Sequence, residues 1–218
     1  MVLGLEASYF YVAHGLELDE IHTKFKAPQS AGEALWVSLG EKGEISLEMT
    51  SVRGYLFDFI SFALSKDTIK DFRSHFNKGL TLAIISARLI SQKKKMRAID
   101  YQIESVVSMI WLTRNATVDE LIGFVLEKSY YGQRSYGLNE AAKTYFNKNV
   151  SSLSLDEIIS LVSLLKAPSR YNPYCDNERF VLQANALLTK LQKNWPQKYG
   201  SQHYTEPRLV EIEEPECN

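Results

Sequence analysis

The sequence predicts a mainly α-helical chain with one small irregular or hairpin insertion, and three observations carry that expectation. Apolar residues recur at helical spacing from about residue 55 onward, two capping boxes open apolar runs, and proline closes one of those runs. Between residues 27 and 54 the pattern breaks. Pro28, four glycines and the alternation Glu44-Ile45-Ser46-Leu47-Glu48-Met49 suggest a short hairpin or irregular segment interrupting the helical core.

The chain opens on Met1-Val-Leu-Gly-Leu-Glu-Ala, with no basic start and no long apolar region, and reads as neither a signal peptide nor a membrane anchor. The richest apolar window, Tyr55 to Leu64, is too short to span a bilayer and carries Asp58. Two helices are expected at Gly79 to Ile90 and at Met96 to Leu112, joined by the basic turn Ser91-Gln-Lys-Lys-Lys95. Thr117-Val-Asp-Glu120 places a hydroxyl and a carboxylate where the first amides of a helix lack partners, and Ser154-Leu-Asp-Glu157 repeats the device. The helix after Ser154 must stop near Ala167, because Pro168 forces its predecessor out of helical geometry. A last helix near Phe180 to Lys193 closes a compact domain over residues 1–194, and residues 195–218 read as an extended tail.

Composition excludes several classes of function. The 218 residues carry 25 basic and 26 acidic side chains, so no global field draws the chain onto nucleic acid, and any polyanion site must be local. Cys175 and Cys217 form neither a metal-binding spacing nor a disulfide framework. His14, His22, His75 and His203 are scattered, which gives a zinc site no anchor. Glycine-rich phosphate loops and the Gly-x-Ser-x-Gly elbow are absent from the sequence.

One stretch is specific. Tyr130-Tyr-Gly-Gln-Arg-Ser-Tyr-Gly-Leu-Asn-Glu-Ala-Ala-Lys-Thr-Tyr-Phe146 is followed by Leu153-Ser-Leu-Asp-Glu157 and Leu164-Leu-Lys-Ala-Pro-Ser-Arg-Tyr-Asn-Pro173. In order and spacing this resembles the glycosyltransferase family 51 domain, the peptidoglycan transglycosylase module of penicillin-binding proteins and their monofunctional relatives. Upstream, Glu6, Phe10 and His14-Gly15 fit the family's first motif, and Lys78-Gly-Leu-Thr81 to Arg88 is a weaker echo of its second.

The resemblance implies a lysozyme-like helical fold, a place in the cell envelope, and polymerisation of glycan strands from a lipid-linked disaccharide precursor. That reaction needs a carboxylate to take the acceptor hydroxyl proton and cations to meet the departing pyrophosphate. Glu6 matches the general base by position. Arg88, Lys93, Lys94, Lys95 and Arg97 supply a local cationic cluster, which a divalent cation such as Mg²⁺ could assist; His14 and Thr81 match substrate-binding positions. A glycan strand, a protein partner and peripheral contact with a membrane stay open as further partners.

The departures are as informative. Ala7 stands for the aspartate after the catalytic glutamate, and Leu80, Ala83, Ile85 and Leu89 replace polar residues of the second motif. Counting back from Thr117 puts Ser105 at the second catalytic carboxylate, while an offset of one residue puts Glu104 there. Adjacent helical positions differ by about 100° in direction, so only one of them can face a cleft. Two readings therefore stand side by side: a divergent active enzyme, or a degenerate relative that keeps the fold to bind precursor or a protein.

Overall fold

A computed structural model describes residues 9–10, 13–14, 21–22, 25–64, 77–91 and 98–217. Its helices are α1 (Gln29–Ser38), α2 (Val52–Leu64), α3 (Leu80–Ser91), α4 (Ala98–Asn115), α5 (Val118–Lys128), α6 (Leu138–Phe146), α7 (Leu155–Leu164), α8 (Asn177–Asn194) and α9 (Pro196–Tyr199). A 3₁₀ turn covers Val150–Ser152. Among the described residues there is no strand, only an isolated bridge between Tyr130 and Tyr136, so the mainly α class holds. No helix among them is long and apolar enough to cross a membrane. The chain divides into two compact units, one from residues 1–24 and 46–121, the other from 25–45 and 122–218.

In the first unit α3 packs along α4. Leu82, Ala83 and Ala87 on α3 and Met109, Ile110 and Leu112 on α4 are fully buried, and the two alanines, four apart, keep that face of α3 shallow. The alternating residues before α2 form no hairpin. The Glu48 amide donates to the Lys78 carbonyl, the Thr50 amide to Thr113 Oγ1, and the Arg114 Nε to the Thr50 carbonyl. Side chains and a loop thus take the bonds that a second strand would have taken. The Thr117 capping box forms as expected, its amide donating to Glu120 Oε2 at 2.8 Å, and His22 reaches Glu120 Oε1 at 2.8 Å. The Thr117 amide first, and His22 second, hold the Glu120 carboxyl below its ordinary value.

In the second unit the main departure from expectation is α1. Residues 29–38, read from sequence as part of an irregular or hairpin insertion, are a helix with Ala31 through Val37 all buried. Pro28 ends the preceding coil, and its carbonyl accepts the Ala31 amide; α1 then packs against both α7 and α8. Inside this helix Glu33 is buried, and its carboxylate accepts from Lys198 Nζ at 2.8 and 2.9 Å, from Gln29 Nε2 at 3.0 Å and from the Tyr199 hydroxyl. A carboxylate out of water requires such partners, and α9 supplies two of them.

The α7 capping box is complete: Ser154 Oγ accepts the Glu157 amide, and Glu157 Oε2 accepts the Ser154 amide at 2.8 Å. On α8, Phe180, Ala184, Leu187, Leu188 and Leu191 make one buried stripe, with Asp176 capping the first turn. Past Tyr199 the backbone is irregular, yet it is tied down: the Val210 amide donates to the Tyr145 carbonyl, the Tyr174 hydroxyl donates to the Val210 carbonyl, and Tyr204 pairs with Ser160.

Glu157 gives the fold an acid dependence. Burial opposes its charge, but Lys148 Nζ at 2.7 Å and the Ser154 amide outweigh burial and hold the carboxyl below its ordinary value. A carboxyl depressed by folding contributes stability that is complete above its unfolded pKa and is lost as the pH falls through the folded one. Urea midpoints followed from about pH 7 to about pH 3 are expected to drop along the acid limb, less steeply in Glu157→Gln. An unaltered acid limb in that variant would mean that the Lys148 pair contributes nothing to it.

Candidate active site

Among the described residues of the first unit, α4 carries the buried polar side chains Glu104, Ser108 and Thr113. Glu104 is 7 % exposed, and residues four apart share a helix face, so Glu104, Ser108 and Leu112 make one inward stripe. Ser105, one position on, is half-buried. The hydroxyl oxygens of Ser105, Ser108 and Ser91 are buried without a hydrogen-bond partner among the described residues, an unusual concentration of unmet polar groups for a helical layer. On α3, Thr81 and Arg88 are seven apart and share a stripe; Thr81 is half-buried, and Arg88 is exposed with no ion pair among the described residues. A planar guanidinium presented to solvent suits bidentate capture of phosphate or carboxylate.

His14 is exposed, and close to it in sequence Tyr9 is buried under Arg114, whose Cζ lies 4.6 Å from the ring centroid. Glu6, Lys95 and Arg97, with Lys93 and Lys94, lie outside the described residues. The structure therefore sets Thr81, Arg88 and Glu104 on α3 and α4 of one unit, with no direct bond between any two of them. No group of three His, Cys, Asp or Glu side chains among the described residues could hold a metal ion, so the divalent cation has no all-protein donor set among them.

The second unit builds its motif turns by interlocking backbone and phenols. The Tyr131 amide donates to the Ser135 carbonyl and the Gly137 amide to that of Ser129, while the Tyr131 hydroxyl donates to the Leu126 carbonyl and the Tyr145 hydroxyl to that of Tyr131. Burial pushes both phenols above their ordinary range, so they stay neutral donors. Asn172, 2 % exposed, closes the second turn by accepting the Tyr174 amide on Oδ1.

Sequence spacing did not reveal what joins these turns to the tail. Cys175 and Cys217 form a disulfide across 42 positions, with Cα atoms 5.5 Å apart, which corrects the expectation that they form no disulfide framework. The even count was the available signal, but two cysteines in loop-like segments fix no geometry on their own. Beside the bridge, Glu216 meets both motif turns and forms one wall of a polar pocket of about 180 Å³ with Tyr130, Gln133, Ser169 and Asn172.

A family model described as Transglycosylase matches residues 70–192, and the chain belongs to that family. It is similar to penicillin-binding protein 1A of Pseudomonas aeruginosa, at 34 % identity over 97 residues covering 44 % of this chain and 12 % of that protein. It is likewise similar to penicillin-binding protein 1A of Escherichia coli K12, at 36 % over 95 residues, 44 % of this chain and 11 % of that one. The chain thus spans about an eighth of the length of these relatives. A crystal structure of penicillin-binding protein 1A from Haemophilus influenzae aligns over 60 % of this chain and 17 % of its own, with 25 % identity and a TM-score of 0.37.

Proposed function

We propose that this chain is a divergent peptidoglycan glycosyltransferase that extends glycan strands from lipid II, the undecaprenyl-linked disaccharide precursor, at the cell envelope. The observation that carries this reading is the family match over residues 70–192, within which the motif order from Tyr130 to Pro173 is unbroken. In this mechanism Glu6 takes the proton of the acceptor sugar hydroxyl as its oxygen bonds to the anomeric carbon. The bond from that carbon to the pyrophosphate breaks with inversion. Arg88, Lys95 and Arg97 neutralise the charge that grows on the leaving group, His14 and Thr81 hold substrate, and Glu104 supplies the second carboxylate.

Purified protein incubated with labelled lipid II in detergent is expected to yield glycan strands, and Glu6→Gln to lower the rate on the order of 10²- to 10⁴-fold, the usual worth of a positioned general base. Glu104→Gln is expected to slow the reaction as well. Wild-type protein that forms no strands and binds no donor analogue would sink the proposal.

A second reading, a degenerate relative that binds precursor or a protein partner, is favoured by one observation. Leu80 and Ala83, at polar positions of the second motif, are 3 % and 0 % exposed and belong to the apolar core of the first unit. Under it, Glu6→Gln leaves the cellular phenotype intact.

A further inference from the structure

Glu216, next to Cys217, is held by hydrogen bonds on every side. Glu216 Oε2 accepts the Tyr130 hydroxyl at 2.8 Å and the Arg134 amide at 3.2 Å, and its Oε1 accepts Arg134 Nε at 2.8 Å. The Glu216 amide donates to Gln133 Oε1 at 2.9 Å; its carbonyl accepts from Asn172 Nδ2 at 2.6 Å and from Gln133 Nε2 at 3.3 Å. Every polar group of this one residue is paired, and the partners come from the two motif turns. Gln133 and Arg134 hold positive φ of 49° and 57°, a conformation that non-glycine residues keep only where their surroundings impose it.

The carboxylate contacts are largely open to water, where a single charge-assisted pair is weak and screened. What keeps Glu216 at high local concentration is its neighbour, because the bridge from Cys217 to Cys175 anchors the next residue along the chain. Both cysteines are exposed, so a dithiol reductant can reach them.

We infer that residues 200–217 are a redox-governed strap: the Cys175–Cys217 disulfide seats Glu216 in a carboxylate cradle made by Tyr130, Gln133, Arg134 and Asn172, and reduction by a dithiol releases the strap and empties the cradle. A thiolate of the reductant attacks one sulfur of the bridge and forms a mixed disulfide. Its second thiol then displaces the remaining protein thiolate. Two electrons and two protons pass to Cys175 and Cys217, which end as thiols, and the reductant ends as its own disulfide. Release also removes the Glu216 wall of the neighbouring pocket, so that pocket belongs to the oxidised state alone. The strap closes where thiols are oxidised, outside the reducing cytosol. None of this depends on the proposed glycosyl transfer.

Hydrogen exchange followed by mass spectrometry on the full chain tests the strap. In protein equilibrated with a glutathione redox buffer of extracellular poise, the intact mass is expected to report one disulfide, with the bonded amides of Val210 and Glu216 in the segment 205–217, and of Tyr131, Arg134 and Ser135 in the segment 131–135, protected. Dithiothreitol on the same sample, and Cys217→Ser separately, are expected to speed exchange of both segments at least tenfold while α8 amides keep their rates. Glu216→Gln, with the bridge intact, is expected to speed exchange at 131–135 alone. Two free thiols under the oxidising buffer, or exchange at 205–217 indifferent to dithiothreitol, overturn the inference; so does a loss of protection in α8 on reduction, which would make the bridge a staple of the whole unit.

Discussion

Gly137→Ala is expected to lower the free energy of unfolding by roughly 3 kcal/mol or more, seen as a fall in the urea midpoint at unchanged slope. Gly137 has φ 84° and ψ 151°, a region in which essentially only glycine is found. A Cβ built there would lie 2.5 Å from the Glu127 carbonyl oxygen, and backbone at both ends leaves nothing free to move aside. Adding the strain to the overlap gives the estimate, since each contributes about 1–3 kcal/mol. Gly54→Ala is the internal control. That residue lies within α2 without positive φ, and its new methyl would meet only the Ser51 hydroxyl, at 3.0 Å. The same substitution there is expected to be neutral or to stabilise by about 0.5–1 kcal/mol, through the unfolded chain and the helix propensity of alanine. Equal losses at the two sites would show that backbone geometry around Gly137 is not what the Tyr131 turn depends on.

That turn also marks the boundary between what the sequence makes legible and what it hides. Thr117 with Glu120, and Ser154 with Glu157, announce their helices because a capping box is complete within four residues; α5 and α7 begin where it says. Pro168 likewise announces an end, though α7 stops at Leu164, with tight turns through Leu165 and Ala167 ahead of the proline. Pairings made over distance leave no such mark. Nothing near Cys217 says that Cys175 lies beside it, and nothing near Glu33 says that Lys198 and Tyr199 meet it. At the candidate site, motif counting narrows the second carboxylate to two adjacent positions, and the buried stripe of α4 passes through Glu104. Which face of α4 turns inward is a property of tertiary packing that no count along one helix contains.

The largest miss is α1, and its own residues explain it. A helix facing water on one side advertises itself by periodicity, whereas one buried almost all round has no polar face to set the period. Gln29 to Ser38 is of the second kind, with Pro28 and Gly32 imitating a loop. Trp36 tests whether this helix is core. It is fully buried, and its indole Nε1 has no hydrogen-bond partner among the described residues. Trp36→Ala is expected to cost about 3–5 kcal/mol, the range for deleting a large buried aromatic side chain. Trp36→Phe removes less volume and also deletes the orphaned N–H, whose burial costs about 1–3 kcal/mol. The two terms oppose each other, so the net loss is expected to stay within about 1.5 kcal/mol. Urea denaturation of both variants separates the cases. A loss for phenylalanine as large as for alanine means that the N–H is satisfied, with bound water as the available partner. Two near-neutral variants would return residues 29–38 to the surface insertion that proline and glycine suggest.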